Sequence, residues 1–135
     1  MNQKVQVWVV YRDEVLMLRV IPERGSAWHP ITGGVEKGET NLEGAQRETL
    51  EETGIEKKAG DWLDLDFSFE YKGRWGRARE HSFALVLKKR PKKITIDPTE
   101  HTEYDWMKMK KVTTLLSFEK QKESLEKLVC ILSKI

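Results

Sequence analysis

The sequence has little of several features that would assign a protein to a specialised class. It contains one cysteine, Cys130, so no disulfide can form within the chain. No apolar run approaches the roughly 20 residues that a membrane-spanning helix needs, and the N-terminus lacks the long apolar core of a signal peptide. We therefore expect a cytoplasmic protein with no membrane partner. Aliphatic neighbours around Cys130 predict a buried, unreactive thiol.

Charge of one sign is also scarce. The 24 Lys and Arg residues nearly balance the 22 Asp and Glu residues, and the formal net charge is +2. The net charge is therefore too small to indicate a nucleic acid as partner, and any positively charged surface must be local. The 135 residues suffice for one hydrophobic core, and no repeat or low-complexity segment divides them. A single domain over residues 1–135 is predicted.

Local patterns predict strands around two helices. Apolar alternation places strands at 5–9, 14–20, 63–71, 81–89 and 102–107. Residues 71–80 are predicted as a loop, and 117–133 as the second helix, whose stripe of Leu125, Leu128 and Leu132 belongs to the core and leaves room for a homodimer. Strands combined with helices in this order indicate an α/β or α+β sandwich.

The first helix has clear start and stop signals. Thr40 and Glu43 form a capping box, so the helix starts near Asn41, and Gly54 ends it. An apolar stripe is expected to face the core, on the side opposite the acidic residues. That stripe comprises Leu42, Ala45, Thr49 and Leu50.

Three carboxylates of this helix recur at helical spacing. Glu48, Glu51 and Glu52 stand at positions i, i+3 and i+4, and therefore share one face. Like charges at this spacing cost about 0.2–0.5 kcal/mol per pair, which indicates that the face holds a cation. Oxygen ligands alone favour Mg²⁺, with Mn²⁺ as a substitute, and Mg²⁺ commonly shares its coordination with substrate phosphates.

The segment from Gly33 to Ile55 resembles the Nudix box, G-x5-E-x7-R-E-U-x-E-E-x-G-U, where U is aliphatic. Only the first U position departs, and Thr49 there still offers a methyl group. The resemblance implies a Nudix-type α/β/α sandwich with a mixed central sheet. It also implies hydrolysis of a nucleoside diphosphate linked to another group.

The resemblance further implies roles for individual residues. The metal ligands would be Glu48, Glu51 and Glu52, with the carbonyl of Gly33 as a helper, and Glu51 and Glu52 would serve catalysis. Arg47 and Glu39 would form a bidentate pair that holds the motif together, and Gly54 would close it.

A catalytic base must come from outside the motif. The segment 97–107, DPTEHTEYDWM, offers Glu100, His101, Glu103 and Asp105. Glu100 before His101 resembles the Glu-His loop of several Nudix enzymes and is favoured, while Glu103 and Asp105 remain alternatives. Glu80 is predicted to be a surface residue at a strand edge.

Basic and aromatic residues suggest where a substrate is held. Those selected as substrate-binding residues are Arg19, Arg24, Trp28, Arg74, Trp75 and Arg77. The segment from Tyr71 to Arg79 interleaves rings with positive charge, a combination typical of single-stranded nucleic-acid binding. It favours the 5′-triphosphate end of RNA as substrate. A free nucleoside triphosphate or dihydroneopterin triphosphate is the alternative, and a non-catalytic nucleotide-binding module is a third hypothesis. A second basic cluster, residues 88–93, is predicted to be a solvated surface.

Overall fold

The computed structural model describes residues 1–135 as one mixed sheet of seven strands with three helices. The strands are β1 (Asn2–Tyr11), β2 (Glu14–Val20), β3 (Trp28–His29), β4 (Ile31–Gly34), β5 (Gly60–Gly73), β6 (Gly76–Leu87) and β7 (His101–Lys108). The helices are α1 (Asn41–Thr53), α2 (Met109–Leu115) and α3 (Glu119–Leu132). The predicted α/β sandwich with a mixed sheet is confirmed. The strand predictions were too short at β1 and β5, and the strand predicted at 81–89 began and ended later than β6. The short strands β3 and β4 and the helix α2 were not predicted.

β1 lies at the centre of the sheet. It runs parallel to β6, and antiparallel to β4 through residues 4–7 and to β2 through residues 10–11. β2 in turn pairs with β3 and β7. Because β4 and β2 occupy different halves of the same edge of β1, the sheet divides there. The ends of β2, β3, β4 and β7 meet around this division, where the candidate site lies.

Apolar residues on both faces of β1 build two cores. Val5, Val7 and Val9 belong to the cluster on the α1 side, and Trp8 and Val10 belong to the cluster that includes residues of α2 and α3. All five are at most 1% exposed. A strand covered on both faces loses the simple alternation of polar and apolar residues, which explains the continuous apolar run from Val7 to Val10.

Helix α1 begins and ends where its caps predict. Thr40 accepts from the Glu43 backbone, Glu43 accepts from the Thr40 backbone, and Gly54 takes the left-handed conformation with φ 79°. The predicted apolar stripe is confirmed at Ala45 and Thr49, which are buried, but was wrong at Leu42 and Leu50, which are 38% and 49% exposed. The buried positions are Gly44, Ala45, Thr49, Glu52 and Thr53. Small residues let the helix approach the sheet closely, and this orientation carries Glu52 inward.

The predicted loop at residues 71–80 is instead a hairpin. β5 and β6 continue to a two-residue turn at Arg74 and Trp75. Glu70 stabilises the pairing, because its carboxylate accepts from Arg77 at 2.8 Å and from Arg79 at 2.7 Å across the strands. Two of the basic residues that suggested nucleic-acid binding, Arg77 and Arg79, are thus partly neutralised within the sheet.

A buried polar network lies on the side of the sheet that α2 and α3 cover. Gln6 donates to Oε2 of Glu80 at 3.1 Å, and Tyr71 donates to Oε1 of Glu80 at 3.3 Å. Ser82 donates to Gln6, and Ser124 of α3 donates to Ser82, so the helix is tied to the sheet. Glu80 is 5% exposed. The prediction of a surface residue was wrong, because β6 is an inner strand between β1 and β5.

Helix α3 covers the β5 side of the sheet. Leu125 and Leu128 are fully buried in the chain's own core, so they are not available for a dimer contact. Cys130 lies on the outer face of α3 and is exposed, which corrects the prediction of a buried thiol. None of the helices is long and apolar enough to span a lipid bilayer.

Candidate active site

The division in the sheet forms an acidic cleft of about 510 Å³. Helix α1 contributes Glu48 and Glu52 to its lining, and the start of β7 contributes His101, preceded by Glu100. Basic side chains also border it, since Lys4 of β1 and Arg24 of the β2–β3 connection both line the cleft. An acidic floor with basic residues nearby suits a cation and the phosphate oxygens that the cation would share.

Glu52 is the most strongly perturbed group of the cleft. Its side chain is only 6% exposed. Burial, together with the neighbouring carboxylates of Glu48 and Glu100, raises the pKa of Glu52 to about 9. The pKa of Glu48 is also raised, chiefly by burial. Carboxylates held this close together are stabilised in the charged form by a cation between them.

The donor atoms fit a divalent metal ion. One ligand atom each from Glu52, Glu100 and His101 lies within 4.8 Å of the others. Oε2 of Glu52 and Nδ1 of His101 are buried without a hydrogen-bond partner, and an unpaired buried polar atom is costly unless something binds it. Bound there, a divalent ion would neutralise phosphate oxygens and lower the pKa of a coordinated water.

Gly33 lies against Glu48. A Cβ atom at this position would overlap the Glu48 carboxyl group, so glycine at residue 33 leaves room for the Glu48 carboxyl to lie against β4. Gly33 and Gly34 thereby line the same cleft as the two helix carboxylates.

Arg47 holds the loop before α1 against the helix. It donates to both carboxylate oxygens of Glu39, at 2.8 and 3.1 Å, and to the carbonyl of Gly34 at 2.7 Å. It also donates to Glu48 at 3.1 Å and to Glu51 at 3.0 Å. The Arg47 guanidinium hydrogen-bonds Glu39 and so holds the pKa of that carboxyl below its usual range.

Glu51 is placed apart from Glu48 and Glu52. Its side chain is 56% exposed, it pairs with Arg47, and it does not line the cleft. The structure thus brings two of the three helix carboxylates, Glu48 and Glu52, together with Gly33 and Glu100.

The other base candidates lie on β7 beyond the cleft. Glu103 accepts from Arg19 at 3.3 Å, and both side chains are about half exposed. Asp105 is exposed and lies opposite Met17 in the β2–β7 pairing. Of the three candidates, only Glu100 lines the cleft.

The substrate-binding candidates are divided among three places. Arg24 lines the cleft. The guanidinium of Arg19 lies 5.7 Å from the ring of Trp28, one strand away. The hairpin residues Arg74, Trp75 and Arg77 are separate from the cleft, and Trp75 is 81% exposed. The hairpin is nevertheless linked to the start of β1, because Asn2 donates to the carbonyl of Trp75 at 3.1 Å.

Two titratable residues of the cleft, His29 and Lys4, were not predicted from the sequence. Nε2 of His29 lies 2.8 Å from Nε2 of His101, although 72 residues separate them in the chain. Burial lowers the pKa of His29 to about 4, and it lowers the pKa of His101 too. His29 lies four residues before Gly33, and this short spacing could have predicted that it lies near the motif.

Comparison with known proteins agrees with this geometry. The family model described as NUDIX domain matches residues 1–128. The chain belongs to the Nudix family. Members of this family typically act with a divalent metal ion, and the protein is accordingly a hydrolase of phosphorus-containing anhydrides.

Several individual proteins are similar to this Nudix hydrolase. An RNA pyrophosphohydrolase of Bartonella clarridgeiae is 26% identical, over 88% of this chain and 78% of that protein. The asymmetrical bis(5′-nucleosyl)-tetraphosphatase of Rattus norvegicus is 32% identical, over 73% and 67%. The structure of the Escherichia coli dihydroneopterin triphosphate pyrophosphohydrolase is 25% identical with a TM-score of 0.81, over 95% and 94%. In the RNA pyrophosphohydrolases of Mesorhizobium japonicum and Brucella anthropi the match spans 61% and 60% of the relative's own length.

Proposed function

We propose that this Nudix hydrolase is a Mg²⁺-dependent pyrophosphohydrolase of the cytoplasm that acts on the 5′-triphosphate end of RNA. Water attacks a phosphorus atom of the triphosphate and one phosphoanhydride bond breaks. Pyrophosphate is released, and the RNA keeps a 5′-monophosphate. The observation that carries the proposal is the buried acidic cleft with Lys4 and Arg24 at its border. That combination suits a metal-bound polyphosphate rather than a neutral substrate.

The charged residues of the cleft have separate roles in this proposal. Glu48 and Glu52 would hold the metal ion with help from the Gly33 carbonyl, and His101 beside Glu52 would offer a further donor. Glu51 supports them from outside the cleft through Arg47. Glu100 takes a proton from the attacking water, because it is the base candidate that lines the cleft. Arg24 and Lys4, which line the same cleft, would bind phosphate oxygens of the substrate.

Two observations favour RNA over a free nucleotide. Relatives named RNA pyrophosphohydrolase recur among the similar proteins. The hairpin tip, in addition, presents Trp75 to solvent with Arg74 stacked 5.3 Å from its ring. An exposed ring beside a positive charge can stack on a base beyond the first nucleotide.

A free (d)NTP or dihydroneopterin triphosphate is the second candidate. The observation that favours it is the similarity to the E. coli dihydroneopterin triphosphate pyrophosphohydrolase over 95% of the chain. In that case the hairpin would not contribute to substrate binding.

The test is pyrophosphate release with Mg²⁺ from a panel of 5′-triphosphorylated RNA, free nucleotides, dihydroneopterin triphosphate and diadenosine tetraphosphate. Glu52→Gln serves as the inactive control, and Trp75→Ala tests the hairpin. We expect the highest kcat/KM with RNA and a higher KM for RNA alone in Trp75→Ala. Faster cleavage of a free nucleotide, unchanged in Trp75→Ala, would overturn the RNA assignment.

A further inference from the structure

A basic groove of about 670 Å³ lies at the C-terminal end of α1 and shares no lining residue with the acidic cleft. Its basic residues are Lys58, Lys88, Lys89, Arg90, Lys92 and Lys93, against one acidic residue, Glu56. The lining therefore carries +6 − 1 = +5, while the whole chain carries +2, so the remainder sums to −3. Positive charge is concentrated in this groove.

Most of these charges have no partner. Lys58 pairs with Glu56 at 3.5 Å and Arg90 with Glu14 at 3.4 Å. No carboxylate lies within 4.0 Å of the other four groove lysines, which are all exposed: Lys88, Lys89, Lys92 and Lys93. Clustered like charges repel one another, and a bound polyanion relieves that repulsion.

The groove is assembled by the fold from two separate segments. Lys58 precedes β5 and residues 88–93 follow β6, and the pairing of Gly60 with Leu87 brings them together. A Cβ at Gly60 would overlap the backbone carbonyl of Val86, so the glycine permits this close approach. At the other end, the Thr95 backbone donates to the carbonyl of Thr53 in α1 at 3.0 Å. Main-chain contacts therefore hold both walls in place.

We propose that this groove binds the phosphodiester backbone of single-stranded RNA whose 5′ end occupies the acidic cleft, an inference that rests on the function proposed above. Lysines without partners suit phosphate, which they contact as point charges. Six of the eleven lining residues are basic and only two, Ile55 and Ala59, are hydrophobic, so the lining favours a polyanion over an amphipathic peptide or an acyl chain. The groove is concave, which fits a chain better than a membrane surface.

The distance between the two sites sets the length of RNA required. Lys93 of the groove and Glu100 of the cleft are seven residues apart, so their Cα atoms are separated by at most roughly 25 Å. A stacked strand advances about 3.4 Å per nucleotide, so at most about eight nucleotides are needed to reach from the cleft to the groove. A dinucleotide occupies the cleft alone.

The first experiment measures binding without catalysis. A fluorescent RNA of about 12 nucleotides with a 5′-hydroxyl end is titrated in EDTA with wild type and with Lys89→Ala/Lys92→Ala/Lys93→Ala. The matched control is Lys110→Ala/Lys111→Ala/Lys127→Ala, because both triple variants lower the formal charge from +2 to −1. Vesicles with anionic lipid form a separate arm.

We expect the groove variant to bind the RNA at least about tenfold more weakly than wild type, and the control to bind within about twofold. Single strands contribute a salt slope of about −0.7 per phosphate contact, so loss of three contacts should reduce the slope by about two. Equal affinity of the groove variant and wild type would overturn the proposal. Capture by vesicles without RNA binding would also overturn it, in favour of a membrane surface.

The second experiment separates this inference from the proposed function. KM is compared for 5′-triphosphorylated RNA of about 12 nucleotides and for a 5′-triphosphorylated dinucleotide. The groove variant should raise KM for the long RNA about tenfold and leave the dinucleotide unchanged. An unchanged KM of the groove variant for both substrates would refute RNA binding by the groove and leave the proposed function intact. RNA binding by the groove without any RNA turnover would refute the proposed function and leave RNA binding by the groove intact.

Discussion

Nε2 of His29 and Nε2 of His101 lie 2.8 Å apart at the wall of the acidic cleft, and His101 Nε2 lies 3.9 Å from Oε1 of Glu52. Burial lowers the pKa of both rings, so both are neutral near pH 7. Neutral imidazole is a ligand for Mn²⁺ and other transition metals, whereas Mg²⁺ prefers oxygen. The cleft thus joins a carboxylate site to a nitrogen donor that the acidic motif does not contain.

We therefore predict that His101→Leu weakens Mn²⁺ binding by about tenfold or more and weakens Mg²⁺ binding less. Mn²⁺ affinity is measured by electron paramagnetic resonance without substrate, and Mg²⁺ affinity by competition. His81→Leu is the matched control, because His81 pairs with Asp64 and does not line the cleft. Equal losses for the two metals would show that His101 contributes no ligand preference.

A second prediction concerns the two adjacent carboxylates of α1. Glu52→Gln should lower kcat by about 10² or more, because several kcal/mol of metal-borne charge stabilisation depends on it. Glu51→Gln should cost less, since Glu51 is 56% exposed and pairs with Arg47 outside the cleft. Metal-free thermal unfolding should show little loss of stability in either variant. Near-normal turnover in both variants would contradict the assignment of the metal site.

The local part of this site could be predicted from the sequence. The caps of α1, including Gly54, and the spacing of its Glu residues depend on neighbours within about one helical turn, and local rules describe them well. The orientation of the helix was predicted wrongly, because exposed Leu42 and Leu50 looked like core residues. Which face turns inward depends on the cleft beneath Glu52, and this cleft exists only after the sheet has formed.

Other features depend on distant pairing. His29 and His101 meet because β3 and β7 both pair with β2. The basic groove likewise needs the β5–β6 pairing to bring Lys58 beside residues 88–93. Glu80 was expected at a surface because it was placed at the edge of a strand, whereas its strand lies between β1 and β5 and its carboxylate accepts from Gln6 and Tyr71 of those strands. Contacts of such large sequence separation leave no local pattern to read.

A third prediction concerns the hydrogen bonds by which Arg47 joins α1 to the loop before it. A lysine has one ammonium group and cannot reach Glu39, Glu48 and the Gly34 carbonyl together, so Arg47→Lys should loosen the loop before α1. We expect a loss of about 1–3 kcal/mol in the free energy of unfolding, measured by urea denaturation, and a lower kcat. Arg12→Lys is the control, because Arg12 is exposed and contacts only the Tyr11 ring. Equal stability of Arg47→Lys and wild type would show that these hydrogen bonds of Arg47 do not stabilise the fold.

The last prediction concerns Glu80, which is buried away from the cleft. Burial raises the pKa of Glu80 from its usual value of 4.5 to about 7. Between these two values the folded protein keeps the proton that the unfolded chain has released, so stability falls as the pH rises from 4.5 to about 7. Above that window the folded state contains a buried charge, at a cost of about 3 kcal/mol for the 2.5-unit shift.

Glu80→Gln stays neutral at every pH and can keep both contacts, donating to Tyr71 and accepting from Gln6. It should match wild type in urea denaturation near pH 4 and exceed it by up to about 3 kcal/mol near pH 8. Glu126→Gln, at an exposed position on α3, is the matched control for loss of one negative charge. A constant difference between Glu80→Gln and wild type across this range would mean that Glu80 does not titrate with folding. A smaller gain at pH 8 than expected would indicate that Lys4, whose charge lowers the pKa of Glu80, compensates the buried carboxylate.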